Sequence, residues 1–388
     1  MKAAGIPLRI SNDRVVLYGT MLALIASAPF IIFPTWFHDV AYRGDFANFW
    51  SAGSNVGTTR LLDAAALAVW QTAHGITAQV FVYPPGVAWL YAPLAWLPPI
   101  PAMILGDAAM VAVLVAAGIV MAKIYGFPRW FALAGVFAWG PAVNAIELGQ
   151  NTPLALLAIC VAVWSLVNRR EALLGLAVGL LLYKPSVALP FVLLLLVRSQ
   201  WRALAVVAAA GAGWYLLSLF ASHGNTAWPA QWIHLVQISS VGEFGGNSHK
   251  TFTVPTLLLS AGVPPMLAIG AGIGVLLAAL PLLARRPAIE AGSMTAAIGL
   301  ATSIHAWPYE ATLLLPAVFF IMIRLAEPAR TPIIAATYVV AALALVLPYA
   351  GHGLALLSLG IAAWWLSSGY RAVGARDKIA DVPVGQSL

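Results

Sequence analysis

Apolar residues fill long uninterrupted stretches of this chain, and the polar positions fall between those stretches instead of alternating with them. Apolar runs approaching the ~20 residues needed to cross a bilayer predict membrane-spanning α-helices. The absence of a two-residue alternation argues against lipid-facing β-strands. The pattern predicts spans near 15–36, 101–122, 130–146, 152–168, 172–184, 186–198, 203–221, 264–284, 289–306, 309–325, 331–348 and 353–370, about twelve in all. The runs at 152–168, 172–184 and 186–198 are short for spans, so at least one is expected to be a broken or partly submerged helix lining a cavity.

No long polar block separates the runs. The expectation is an all-α polytopic membrane protein with one transmembrane domain over 15–370, between short tails at 1–14 and 371–388. The longest polar-leaning connections are 37–100 and 222–263. Loops of that length are uncommon unless they have a function. Within them, Arg60 to His74 and Trp228 to Ile238 have the amphipathic or aromatic character of helices lying on a membrane surface, and Gln79 to Val82 is β-prone. The first run follows Lys2, Arg9 and Arg14 and lacks a clear small-residue cleavage site, so it is expected to be a retained span.

Composition agrees with this pattern: 62% of the residues are hydrophobic and 9% charged, with a mean hydropathy of +0.90, whereas soluble domains carry about 25% charged residues. A net charge of +7 would suggest a nucleic-acid partner in a soluble protein. Here it follows membrane topology, and no nucleic acid is expected. With the N-terminus inside, all but four of the 20 Lys and Arg fall on inner segments, as the positive-inside preference requires. Both termini are then cytoplasmic. The exceptions are Arg43, Arg60, Lys184 and Lys250, which share the outer side with Asp45, Glu147 and Glu310. Cys160 is the only cysteine, which excludes an intramolecular disulfide and a cysteine-based metal site.

Candidate chemistry lies on that outer side. Asp45, in Tyr42-Arg43-Gly44-Asp45-Phe46, is ionised at neutral pH if unperturbed and can take a proton as a general base; the alternative is a solvated carboxylate paired with Arg43. Tyr83-Pro84-Pro85-Gly86 reads as a rigid membrane re-entry turn that could hold a loop over a site. Glu147, Gln150 and Asn151 bring a carboxylate and two amides into one short connection suited to sugar hydroxyls, although Asn151 or Thr152 capping the next helix explains part of it. Lys184 interrupts a long apolar tract, where a cation is costly unless paired or solvated. It is either a lysine snorkelling from a helix end or a ligand for an anion such as a lipid phosphate. Gly246-Asn247-Ser248-His249-Lys250 could present backbone N–H groups and a cation to phosphate oxygens. His305, with Trp307 and Tyr309-Glu310, joins two runs with hardly any polar spacing, and either orients a substrate or is structural. No metal-ligand spacing accompanies it.

In order, Gly44-Asp45-Phe46 with Trp50 and Ala52, Tyr83-Pro84-Pro85, Gly149-Gln150-Asn151, Lys184-Pro185, Gly246-Asn247-Ser248, and His305 with Trp307 and Tyr309-Glu310 span roughly residues 15–325. This ordered set resembles glycosyltransferase family 87, membrane mannosyltransferases of the GT-C fold that use polyprenyl-phosphate sugars. The resemblance implies a catalytic Asp at the end of the first span, which falls on Asp45. It also implies a donor cavity open to the membrane and lined by later outer loops, which falls on Lys184, Asn247, Ser248, Lys250 and His305. The family's last motif often has Asp after Tyr, where this chain has Glu310.

These expectations give a polyprenyl-phosphate sugar donor, mannose first, and a glycolipid or envelope-glycan acceptor. Donor phosphate would meet Lys184, with Lys250 and Arg43, while Asn247, Ser248 and His305 line its cavity. Tyr83, Glu147, Gln150, Asn151 and Glu310 would contact the acceptor or sugar. Transfer would invert the anomeric configuration without cofactor or metal, on the outer face of a bacterial cytoplasmic membrane. The rival reading is a lipid or lipid-linked-sugar transporter, which calls for ionisable residues along a path through the bilayer; beyond Asp107 the sequence offers little of that.

Overall fold

The computed structural model describes residues 39, 41–42, 44–246, 251–304, 306–325, 330–346, 353–355, 357–361 and 365. Among them the fold is helical throughout, with no strand. The predicted span 15–36 and both tails lie outside the described residues, and 353–370 is described only in part.

Among the described residues, three helices are long and apolar enough to cross a membrane: α3 (Pro99–Tyr125), α9 (Trp201–Ala221) and α12 (Pro265–Arg285). These coincide with the predicted runs at 101–122, 203–221 and 264–284. The 27 residues of α3 correspond to roughly 40 Å of helix at 1.5 Å per residue. Pro99 starts α3, where a missing N–H costs no intrahelical bond. Gly126 ends it at φ +74°, donating to Ala122 O at 3.0 Å. All three helices expose large aliphatic side chains, including Ile104, Leu216 and Ile273, as lipid-facing helices must.

Shorter apolar helices pack between them: α6 (Thr152–Val167), α7 (Glu171–Leu180), α8 (Pro185–Val197) and α13 (Ala288–Thr302). The α7–α9 contact is set by a small-xxx-small pair. A Cβ on Gly175 would lie 2.3 Å from Ala203 O, and one on Gly179 would lie 2.4 Å from Ala210 Cβ, so only glycine allows this backbone approach. From Glu290 onwards α13 is fully buried. Its hydroxyls are satisfied on its own turns: Ser293 Oγ donates to Ile289 O at 2.6 Å, and Thr295 Oγ1 to Ala291 O at 2.7 Å. At its N-terminal end, buried Glu290 accepts from Trp365 Nε1 at 2.7 Å and pairs with Arg286 at 3.4 Å.

Two predicted spans are not continuous helices. The run at 130–146 divides into α4 (Arg129–Phe137) and α5 (Gly140–Glu147). Pro141 lacks the N–H needed to continue a helix from α4, and Trp139 turns outward at ψ 102° to donate its Nε1–H to Ala311 O at 2.9 Å. The run at 309–325 begins as a 3₁₀ segment, Pro308–Leu314, before α14 (Leu315–Arg324).

The long connection at 37–100 contains a helix where Arg60 to His74 predicts one. It holds α1 (Asp45–Ser54) and α2 (Ala64–Ala73), and Asp63 caps α2 by accepting from Ala66 N at 3.0 Å. Gln79 to Val82, read from the sequence as β-prone, forms no strand. Its carbonyls instead accept from side chains, Val80 O from Asn48 Nδ2 at 3.0 Å and Val82 O from Trp232 Nε1 at 2.9 Å. Trp232 belongs to α10 (Trp228–Gly246), which includes the predicted 228–238 helix.

Candidate active site

Asp45 is the first residue of α1, after Gly44 in extended conformation. A carboxylate there faces the unpaired N–H groups of the first turn and the positive end of the helix dipole. The turn is braced by the 79–80 segment: Gln79 Nε2 donates to Gly44 O at 3.2 Å, and Asn48 Nδ2 to Val80 O at 3.0 Å. Gln71 adds to the brace, donating from Nε2 to Ser51 Oγ and accepting from Gln79 N, at 2.9 and 2.8 Å.

The α5–α6 connection arrives from the other side. Gly149 turns the chain at φ +65°, allowing Gln150 N to reach back to Ala145 O at 2.8 Å. Gln150, 3% exposed, then donates from Nε2 to Asp45 Oδ2 at 2.7 Å. A Cβ on Gly149 would lie 2.6 Å from Phe46 Cβ, so the close approach beside Asp45 requires the glycine.

Asn151 occupies the N-cap position of α6 but makes no side-chain cap, contrary to the capping expectation. Its carbonyl accepts from Tyr183 OH at 2.9 Å, which holds the backbone in place. Its amide is fully buried beside Tyr91 without completing a hydrogen bond to it. Among the described residues, half of the buried polar side-chain atoms without a partner are amide atoms of Asn48, Gln150 and Asn151. Such atoms are rare in folded proteins because each sacrifices its hydration for nothing. Two of these amides adjoin Asp45: Gln150 donates to it, and Asn48 follows it by three residues along α1.

Lys184, between the 3₁₀ turn Leu181–Tyr183 and α8, does not snorkel. It is 5% exposed, and its Nζ donates to Glu310 Oε1 and Thr152 Oγ1, each at 3.1 Å. The Tyr83 and Tyr309 rings flank the ammonium at 5.9 and 5.8 Å. Glu310 also accepts from Trp307 N through Oε2 at 3.2 Å, which fixes both carboxylate oxygens.

Tyr83 lies between the two carboxylates. Its ring packs on Phe49 and Tyr183. Burial first, then the negative charges of Glu310 and Asp45, push its hydroxyl well above the ordinary tyrosine range, so it remains a neutral donor. Glu147 stays apart. Asn144 Nδ2 donates to it at 3.4 Å, and burial raises its carboxyl despite that bond.

Asp45, Tyr83, Gln150, Asn151, Lys184 and Glu310 therefore come together from the sequence candidates, whereas Glu147 makes no hydrogen bond to the cluster. Arg43, Asn247, Ser248, Lys250 and His305 lie outside the described residues. Asn48, Tyr91 and Tyr183 were not singled out in the sequence. Asn48 had one available signal, its position three residues after Asp45 on the same helix face. Alongside the cluster an apolar groove of about 170 Å³ runs past Phe46, Tyr91, Leu94, Leu105, Met110 and Leu154. It adjoins α3, and Leu105 in its wall is half exposed.

No curated protein and no solved structure matches this chain. A family model, that of glycosyltransferase family 87, matches residues 81–348. The matched segment includes Tyr83, Gln150, Asn151, Lys184 and Glu310 and begins after Asp45. Because the match covers more than half of the sequence, the chain belongs to glycosyltransferase family 87.

Proposed function

We propose that this membrane glycosyltransferase moves a sugar, mannose first among the candidates, from a polyprenyl-phosphate donor to a glycolipid or envelope-glycan acceptor. Asp45 removes the proton of the acceptor hydroxyl. The resulting oxygen attacks the anomeric carbon, the bond from that carbon to the phosphate oxygen breaks, and polyprenyl phosphate leaves with the electron pair. One displacement inverts the centre, so a β-linked donor yields an α-glycoside. The observation that carries this reading is the 2.7 Å bond from Gln150 to Asp45 amid buried unpartnered amides. A carboxylate held at the edge of a set of unused sugar-compatible donors and acceptors suits deprotonation of a bound hydroxyl.

Cationic charge stabilises the phosphate as it leaves. Lys184 supplies it by exchanging Glu310 Oε1 for a phosphate oxygen; Arg43 and Lys250 add to it, and Asn247, Ser248 and His305 line the same donor cavity. Tyr83, Gln150, Asn151 and Glu310 contact sugar or acceptor hydroxyls. Glu147 borders that surface from the end of α5. The apolar groove beside Phe46 supports a lipid-linked substrate entering from the bilayer. About twelve spans, cytoplasmic termini and an outward-facing site in a bacterial cytoplasmic membrane complete the reading.

The test incubates purified protein with a panel of polyprenyl-phosphate sugars and extracted envelope lipids and identifies products by mass. One added hexose from polyprenyl-phosphate mannose is expected. Failure with every donor, together with measurable lipid translocation, would sink the reading in favour of a transporter. Gly149→Ala supplies a second check. It combines an unfavourable positive φ with a clash against Phe46. Since a shift of about 1 Å in a reacting group can cost on the order of 100-fold, kcat should fall by about that factor while donor binding changes little.

A further inference from the structure

The first turn of α1 carries a second polar group beside Asp45 that the proposed reaction does not yet use. Asn48 follows Asp45 by three residues, so the two side chains share one helix face, with Cβ atoms about 5–6 Å apart. The Asn48 amide is not turned at random. Its Nδ2 donates to Val80 O at 3.0 Å. That bracing fixes which end of the amide is spent on the protein. The other end, Oδ1, is buried with no partner. An amide oxygen can only accept, so the group that completes this site must be a hydrogen-bond donor.

We infer that Asn48 Oδ1 receives the hydroxyl neighbouring the one Asp45 deprotonates, which makes the enzyme selective for acceptors with two hydroxyls on adjacent ring carbons. Two acceptor groups one helical turn apart match the two O–H donors of a vicinal diol. Cations and phosphates suit the pair less well, because an amide oxygen carries no full charge and both groups lack a proton to give an anion. The inference rests on the proposed role of Asp45 and adds the substrate class that the site selects.

The experiment measures kcat/KM for transfer from polyprenyl-phosphate mannose to octyl hexopyranosides and their monodeoxy derivatives, using the native chain and Asn48→Ala. With the native chain, removing the hydroxyl adjacent to the attacked one should cost about 10- to 100-fold, as expected when a buried acceptor loses its donor. Asn48→Ala should lose a similar factor on the intact acceptor, yet distinguish the intact and deoxy acceptors by less than about 2-fold, since the two deletions remove one interaction. Equal losses for Asn48→Ala on every acceptor, deoxy included, would show a purely structural role for the amide and overturn the inference. So would an unchanged native preference in the variant. Transfer to envelope lipids but to none of the octyl glycosides would also overturn the diol assignment while leaving Asp45 as base. Loss of all transfer in the native chain would remove the underlying reading itself.

Discussion

Asp45→Asn is expected to lower the rate of sugar transfer by about 10²–10⁴-fold, the range that general-base groups contribute. The fold should survive. An asparagine at the start of α1 can still present an oxygen to Gln150 Nε2, whose bond to Asp45 Oδ2 is 2.7 Å. The charge lost from the first turn is worth only about 0.3–1 kcal/mol of helix stabilisation. Donor binding should be nearly unchanged, since the proposed phosphate site is on the side of Lys184. The decisive measurement is single-turnover transfer with saturating donor, paired with thermal unfolding of the same preparation in detergent. Near-native turnover in a folded Asp45→Asn protein would remove Asp45 from the role of base.

Glu310→Gln should cost about 3–5 kcal/mol in stability, because it leaves the Lys184 ammonium buried without its counter-charge. Lys184 and Glu310 side chains are 4% and 11% exposed, so water cannot readily take over. Thr152 Oγ1 and the faces of Tyr83 and Tyr309 remain as partners, but none carries a full negative charge. A double replacement, Lys184→Met with Glu310→Met, should recover most of that stability, since removing both members of a buried pair is often close to neutral. The two roles of the pair then separate. If Lys184 also serves the donor phosphate, the double variant should be stable and bind polyprenyl phosphate weakly. Native binding by that variant would leave the pair a structural tie between the start of α8 and the 3₁₀ segment before α14.

Much of the site was legible one residue at a time. Lys184 stood out because a cation in an apolar tract is expensive, and the structure shows what stabilises it: Glu310, 126 positions away. Asp45, Gln150 and Asn151 stood out as polar groups between apolar runs. What linear reading could not supply was partner choice. Asn151 had the residue type and position of a helix cap, and it caps nothing, because the Asn151 carbonyl is held by Tyr183 and the amide is buried beside Tyr91. Glu147 looked equivalent to Gln150 in the same short connection. Its position at the end of α5 sends it to Asn144, while the left-handed turn at Gly149 sends Gln150 to Asp45.

The spans show the same division. Continuous apolar runs without period-2 alternation were enough to determine an all-α membrane protein, because backbone polar groups in lipid must be satisfied within their own segment. They were also enough to bring the candidate carboxylates, amides and lysine to the ends of those runs. The break at Trp139, the close α7–α9 approach through Gly175 and Gly179, and the joining of Asp45 to Gln150 across 105 residues were decided only by tertiary structure. Hydropathy depends on each residue's own transfer energy and survives in one dimension. Which buried polar group meets which depends on how helices pack, and that is a property of the whole assembled chain.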